Sequence, residues 1–270
     1  MKPADLRLCR SILFLPASNP RAIEKARELD ADMVVLDLED SVRGEDKAAA
    51  RAAAVAASRE GFGDRLVAIR ANAAGTAHYG EDVVALRRSG ADYVVLAKVE
   101  GPRQAADAAW LTGRPVLAMI ETPRGVIDAA AIAPATRGLI AGTNDLCAEL
   151  GIAPGGGRAG LTYALQRIVL AARAAGVAAF DGVHNGLDDE EGLAGECRQG
   201  RAFGFDGKSV IHPGQIAAAN RLFGPSDEEV EEARRLIAAA TGGAERFEGR
   251  MIEDMHVSQA EAVLAKARRS

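Results

Sequence analysis

Two acids stand at the ends of apolar runs in a way that suits a divalent cation. Residues 116–120, VLAMI, lead at once into Glu121. Residues 138–141, GLIA, lead through Gly142, Thr143 and Asn144 into Asp145. Apolar runs of four or five residues between turn signals read as fully buried strands. Two parallel strands that end in carboxylates bring both acids to one rim of one sheet. Two convergent oxygen ligands, with room for water and a substrate, are how Mg²⁺ is commonly held. A plainer reading uses the same residues: Glu121 caps the helix expected to begin near Thr122 and Pro123, and Asp145 caps another. These two residues alone do not separate the readings.

Further charged residues follow other apolar runs. Asp37 and Glu39 follow 33–36, Arg70 closes 66–70, Lys98 follows 93–97, Asp181 follows 177–180 and His212 follows 207–211. Charges are rarely set against a core unless paired or bound to a metal. The set is acidic, with one arginine and one lysine, and suits Mg²⁺ with an anionic substrate. No Ser or Cys sits in a nucleophile motif, and neither His184 nor His212 has an evident nucleophilic partner. The plainer alternatives are a structural charge network joining Asp37, Glu39 and Asp40 to Lys98 and the arginines, a hydrogen-bonded strand-end role for His212, and a loop role for His184. Gly75, Gly142 and Gly157 need only mark turns.

The elements that would position these residues repeat along the chain. Including 11–15, there are eight apolar runs, and helical segments alternate with them, among them 21–29, 47–58, 81–89 and 161–174. Such alternation argues for a parallel sheet with helical crossovers, and eight units in about 220 residues argue for closure into an α/β (β/α)₈ TIM barrel. An open doubly wound sheet is the alternative. A glycine-rich connection at 154–157 precedes 161–174. The barrel is expected to occupy 1–222, and a C-terminal helical extension 223–270, with helices near 227–240 and 257–268 on either side of a break at Gly242 and Gly243. The second of these is amphipathic, with Val257, Ala260, Val263, Leu264 and Ala267 on one face. Barrel enzymes place their chemistry at the C-terminal ends of the strands, where the charged residues named above would all gather.

Of 270 residues, 48% are hydrophobic and 26% charged, enough for a substantial core, and the net charge of −5 with no basic stripe argues against nucleic acid. Cys9, Cys147 and Cys197 are widely spaced and odd in number, which suits a reducing compartment. No long apolar signal or spanning segment is present, so the expectation is a cytoplasmic protein away from membranes.

Eight stretches also resemble a known family. RSILFLPASNPRAIEKA (10–26), ADMVVLDLEDSVRGEDKAAAR (31–51), IRANAAGT (69–76), VVLAKVEG (94–101), AMIETPRGV (118–126), AGTNDLCAELG (141–151), GFDGKSVIHPGQI (204–216) and GRMIED (249–254) follow in order over nearly the full length. Together they resemble the HpcH/HpaI aldolase and citrate lyase superfamily, on the side of the citrate lyase β subunit and stand-alone citrate-lyase-like proteins.

The resemblance implies a (β/α)₈ barrel that uses Mg²⁺ to make or break a carbon–carbon bond beside an acyl-CoA or pyruvate enolate. Glu121 and Asp145 fall on the metal-ligand positions and Arg70 on the substrate-contacting arginine. Asp37 and Glu39 fall on the acidic motif that shapes the site, with Asp37 a candidate for proton transfer. Thr143 and Asn144 would line the substrate pocket beside Glu121 and Arg70. Glu253 falls where CoA-lyase relatives carry an Asp that a neighbouring subunit delivers as general acid or base, which implies a homo-oligomer, a trimer or a multiple of one. The implied ligands are an acyl-CoA and a small 2-keto acid, with a 3-hydroxyacyl-CoA such as citryl-, malyl- or citramalyl-CoA as the compound cleaved. A CoA-independent 2-keto-acid aldolase, and a subunit or CoA-ester-binding protein of a citrate-lyase-like complex, are the alternatives. Three positions depart from the family pattern: Asn144 replaces a common Glu, Ala97 precedes Lys98 where proline is usual, and Glu253-Asp254-Met255 replaces an Asp followed by proline.

Overall fold

The computed structural model describes residues 5–153 and 157–267. Its eight parallel strands are β1 (Ser11–Pro16), β2 (Met33–Asp37), β3 (Leu66–Ala71), β4 (Tyr93–Leu96), β5 (Val116–Ile120), β6 (Gly138–Ala141), β7 (Ala178–Asp181) and β8 (Gly207–Val210). They pair in chain order, and β8 returns to β1, so the sheet is a closed barrel rather than an open doubly wound sheet. Each strand falls where an apolar run stands, with ends displaced by at most one residue. Around them run α1 (Pro20–Ala26), α2 (Lys47–Glu60), α3 (Tyr79–Arg87), α4 (Pro102–Thr112), α5 (Pro123–Ile132), α6 (Thr143–Glu149), α7 (Thr162–Ala175), α8 (Glu190–Phe203) and α9 (Pro213–Phe223). Proline opens α1, α4, α5 and α9 within the first two positions, where its missing N–H leaves no helical bond unmade. Residues 154–156 of the glycine-rich connection, and Arg268 at the expected end of the last helix, lie outside the described residues.

Alternation along the strands sorts their side chains into two cores. Ile12, Phe14, Met33, Val35, Ala68, Val95, Leu117, Met119, Ile140 and Phe180 pack together inside the barrel. Their neighbours, among them Leu13, Leu15, Val34, Leu36, Ile69, Leu96, Ala118 and Leu139, pack outward under the helices. Successive strand residues face opposite sides, so residues two beyond Val35, Ala68 and Met119 point inward again. Those residues are Asp37, Arg70 and Glu121. The register sets Asp37 directly beside Arg70 on adjacent strands.

The extension comprises α10 (Asp227–Ala239), an antiparallel hairpin of β9 (Glu245–Phe247) and β10 (Arg250–Ile252), and α11 (Asp254–Ala267). It has its own small core of Ala233, Leu236, Phe247, Ile252 and Ala260, with Val257, Val263 and Leu264 against it. The apolar stripe of α11 is therefore covered by α10 and the hairpin of the same chain. Arg201, near the end of α8, pairs with Glu229 at the start of α10, and Lys266 at the end of α11 donates to the carbonyl of Asp206, just before β8. Both links lie at the rim where β8 begins. Among the described residues, no helix is long and apolar enough to cross a membrane.

Candidate active site

A cavity of about 440 Å³ opens at the C-terminal ends of the strands, lined by Asp37, Arg70, Glu121, Thr143, Asn144 and Asp145 among polar residues and by Phe14 and Met119 among apolar ones. Six of the seven residues expected to form the site therefore share one pocket. Glu253 does not.

Arg70 lies flat against Asp37, its Nε 2.6 Å from Oδ1 and its Nη2 2.6 Å from Oδ2. Its third nitrogen, Nη1, faces Glu39 Oε2 at 3.2 Å and Met119 Sδ at 3.5 Å, and the guanidinium sits over the Phe14 ring. Asp37 also accepts from the backbone N–H groups of Glu39 and Ser41 and from the Ser41 hydroxyl. Burial would raise its carboxyl, but the Arg70 fork and these donors hold it below the ordinary range. A carboxylate so fully bonded is suited to aiming Arg70 and poorly suited to carrying a proton. Arg70 is accordingly both a buried ion-pair member and a lining group. Glu39 is lifted above its ordinary range, mainly by burial and against the pull of Arg70.

The two acids at the ends of β5 and β6 are not helix caps. Thr122 caps α5, its hydroxyl oxygen accepting from Gly125 N–H at 3.0 Å, and Gly142 holds the cap position of α6, in which Asp145 is the third residue. Glu121 instead turns into the cavity. Its Oε1 accepts from the Lys98 backbone N–H at 2.7 Å, while Oε2 is buried without a hydrogen-bond partner among the described residues. Burial is the main reason its pKa is raised to about 7, with Asp145 adding to the rise. Asp145 stands across the mouth, 31% exposed, with Lys98 Nζ at 3.5 Å.

This donor set fits Mg²⁺. Among the described residues no three His, Cys, Asp or Glu side chains gather as a closed metal site. What the pocket offers is two carboxylates of different strands, one with a buried, unbonded oxygen facing inward. Mg²⁺ is usually held by one or two carboxylates and keeps several waters or substrate oxygens.

Thr143 is buried, its hydroxyl 3.5 Å from the Val183 carbonyl, and Asn144 exchanges side-chain hydrogen bonds with Asn185. Asp181 points outward, as the alternation from inward Phe180 requires, and pairs with Arg158 and Lys208 under the helices. His184 bonds Glu196, and His212 caps α9 through Gly214 N–H. Both histidines have structural roles. Two contributors were not legible. Ser41 bonds Asp37, and Gly142 lies so close that a Cβ there would stand 2.3 Å from Glu121 Cβ and 2.5 Å from Oε2. A glycine directly after a buried strand, followed by an acid, was the available signal.

Glu253 sits at the junction of β10 and α11, its N–H donating to His256 Nδ1. It lies at the end of α11 opposite Lys266, and Lys266 is anchored at the rim facing away from the cavity. Met251 and Met255 beside it are exposed.

Residues 10–213 match the family model described as HpcH/HpaI aldolase/citrate lyase. The chain belongs to this family. It is 41% identical to a (3S)-malyl-CoA thioesterase of Cereibacter sphaeroides over 96% of this chain and 94% of the relative. It is 39% identical to a citrate lyase subunit beta-like protein of Mycobacterium tuberculosis over 94% of each. The crystal structure of the CitE protein of M. tuberculosis in complex with magnesium, acetoacetate and coenzyme A superposes with a TM-score of 0.84 at 37% identity, covering 97% of this chain and all of the other.

Proposed function

We propose that this member of the family is a Mg²⁺-dependent carbon–carbon lyase that reversibly cleaves a 3-hydroxyacyl-CoA, of the citryl-, malyl- or citramalyl-CoA type, into an acyl-CoA and a 2-keto acid. The observation that carries the reading is the unbonded buried Oε2 of Glu121, facing a pocket that Arg70 and Asp145 share. Glu121 and Asp145 would hold the metal. When bound, Mg²⁺ supplies Lewis acidity and a template for the acid portion of the substrate. Arg70, fixed by Asp37, presents Nη1 to the charge that develops on the thioester oxygen as the enolate forms, and a donor already in place needs no reorganisation then. Phe14 and Met119 keep water from the floor of the pocket. Thr143 and Asn144 line the same pocket beside Asp145 and would contact the substrate. Asp37 is bonded on all sides, so we assign proton transfer to the tail carboxylate, Glu253 or its neighbour Asp254, brought by another subunit of a homo-oligomer.

A second reading is hydrolysis of the same thioester, favoured by the thioesterase relative at 41% identity. The two differ in the bond broken. With malyl-CoA and Mg²⁺, the lyase reading expects acetyl-CoA and glyoxylate by mass spectrometry, with no free thiol. Hydrolysis releases free CoA, which a thiol-reactive dye detects at once. Turnover of a 2-keto acid aldol without CoA would instead mark an aldolase, and binding without turnover a subunit of a larger complex.

A further inference from the structure

Lys98 touches both proposed metal ligands, and in different ways. It follows β4, where Val95 faces inward and Leu96 outward. Continued alternation would send the Lys98 side chain out under the helices. It is turned back by a left-handed backbone, φ 50°, a conformation that among non-glycine described residues recurs only at Glu248 in the hairpin turn. Such a backbone is disfavoured by on the order of 1 kcal/mol and persists where the surroundings demand it. Three contacts accompany the distortion. The Lys98 N–H donates to Glu121 Oε1 at 2.7 Å, which leaves Oε2 as the oxygen available to the cavity. The Lys98 ammonium reaches over the mouth to Asp145 Oδ1 at 3.5 Å and Glu39 Oε1 at 3.6 Å. Its side chain is 37% exposed, so it can leave these partners for water.

We propose that Lys98 is the built-in counter-cation of the site: its ammonium neutralises Asp145 and Glu39 until a divalent ion arrives, and is then displaced from Asp145. A positive charge resting on a metal ligand opposes the incoming ion. It weakens binding of the metal alone, and an anionic 2-keto acid, which offers the displaced ammonium a new counter-charge, relieves the opposition. Metal and keto acid therefore bind cooperatively, and Lys98 supplies part of the coupling, which linkage makes equal in both directions. The inference rests on Glu121 and Asp145 as the metal ligands.

The test counts free Mn²⁺ by its electron paramagnetic resonance signal, with and without pyruvate, for the wild type and for Lys98→Gln, Lys98→Arg and Glu121→Gln. An opposing unit charge a few ångströms from a divalent ion in a largely aqueous mouth weakens affinity by about tenfold. Lys98→Gln is expected to bind Mn²⁺ alone about that much more tightly than the wild type, and to lose a similar factor of the pyruvate effect, while Lys98→Arg keeps the wild-type values. If Lys98→Gln did not fold, Lys98→Gly would take its place, since it removes the ammonium and also relieves the left-handed backbone. Mn²⁺ affinity that is unchanged or weaker without the ammonium overturns the role of Lys98 and leaves the metal ligands standing. A wild type that binds Mn²⁺ no better than Glu121→Gln overturns the ligands and the inference together.

Discussion

Glu121 answers two opposed demands, since it must be ionised to hold a metal and is buried where ionisation is disfavoured. Its pKa is raised to about 7 from the ordinary 4.5. A carboxyl raised on folding binds its proton more tightly in the folded chain. Its contribution to stability is complete below the unfolded value near 4.5 and is lost as pH climbs through 7. Glutamine has the same shape, can still accept from the Lys98 N–H and never ionises. Without metal, Glu121→Gln is therefore expected to gain stability relative to the wild type between pH 5 and pH 8, by on the order of 1–3 kcal/mol. Millimolar Mg²⁺ at pH 8 should reverse the order, because only the wild type has an ionised ligand to stabilise. Thermal unfolding of both proteins at the two pH values, with and without Mg²⁺, measures this, and a difference independent of both would contradict the assignment. The sequence exposed the acid and its place at a strand end. It did not expose the choice between ligand and cap, because that depends on Thr122 taking the cap and on the Lys98 N–H coming from another strand. A charge network joining Asp37 to the arginines was among the readings, but the choice of Arg70 and its two-bond fork were hidden for the same reason: the pair is made by register, across 33 residues of chain.

At the scale of elements, the eight strands were legible because burial on both faces makes them continuous apolar runs. The period-2 rule then divides their polar ends correctly: Asp37, Arg70 and Glu121 inward, Asp181 outward. The hairpin of β9 and β10 was not read, since three-residue strands are too short to show alternation. Its signal was Glu248-Gly249, both with positive φ, as tight hairpin turns of the primed type require. The turn from β6 into α6 is the element on which the site depends most closely. Gly142 leaves room for Glu121, and a methyl group there must displace the carboxylate or the backbone. Gly142→Ala is expected to fold with a loss of about 1–3 kcal/mol, as overpacked sites do, and to weaken Mg²⁺ binding by at least about tenfold, which corresponds to about 1.4 kcal/mol. Gly44→Ala, where a Cβ meets nothing within 4 Å, serves as the control. Calorimetric Mg²⁺ titration of the two variants decides, and equal affinities would remove Gly142 from the account.

For the molecule as a whole, the question is which cavity the tail serves. The amphipathic stripe of α11 is no argument for a neighbour, because α10 and the hairpin pack against it within the chain. The Arg201–Glu229 and Lys266–Asp206 links between tail and barrel lie at the rim where β8 begins, and Glu253 stands at the far end of a helix of 14 residues, about 21 Å long. Glu253 lines no part of this chain's own cavity, and head-to-tail packing of copies around a closed ring would let a neighbour's tail complete it. Two inactive proteins test this. Glu121→Gln disables the barrel and is preferable to Arg70→Ala, which would strand buried Asp37 without its partner. Glu253→Ala/Asp254→Ala disables the tail. Mixed one to one with subunit exchange, an intact barrel meets an intact tail at one interface in four, so about a quarter of wild-type activity should return if sites are shared around a ring. If each tail serves its own barrel, no subunit holds both working parts and activity stays absent. Exchange demonstrated by native mass spectrometry without recovery would overturn the shared site and leave each tail carboxylate to serve its own barrel.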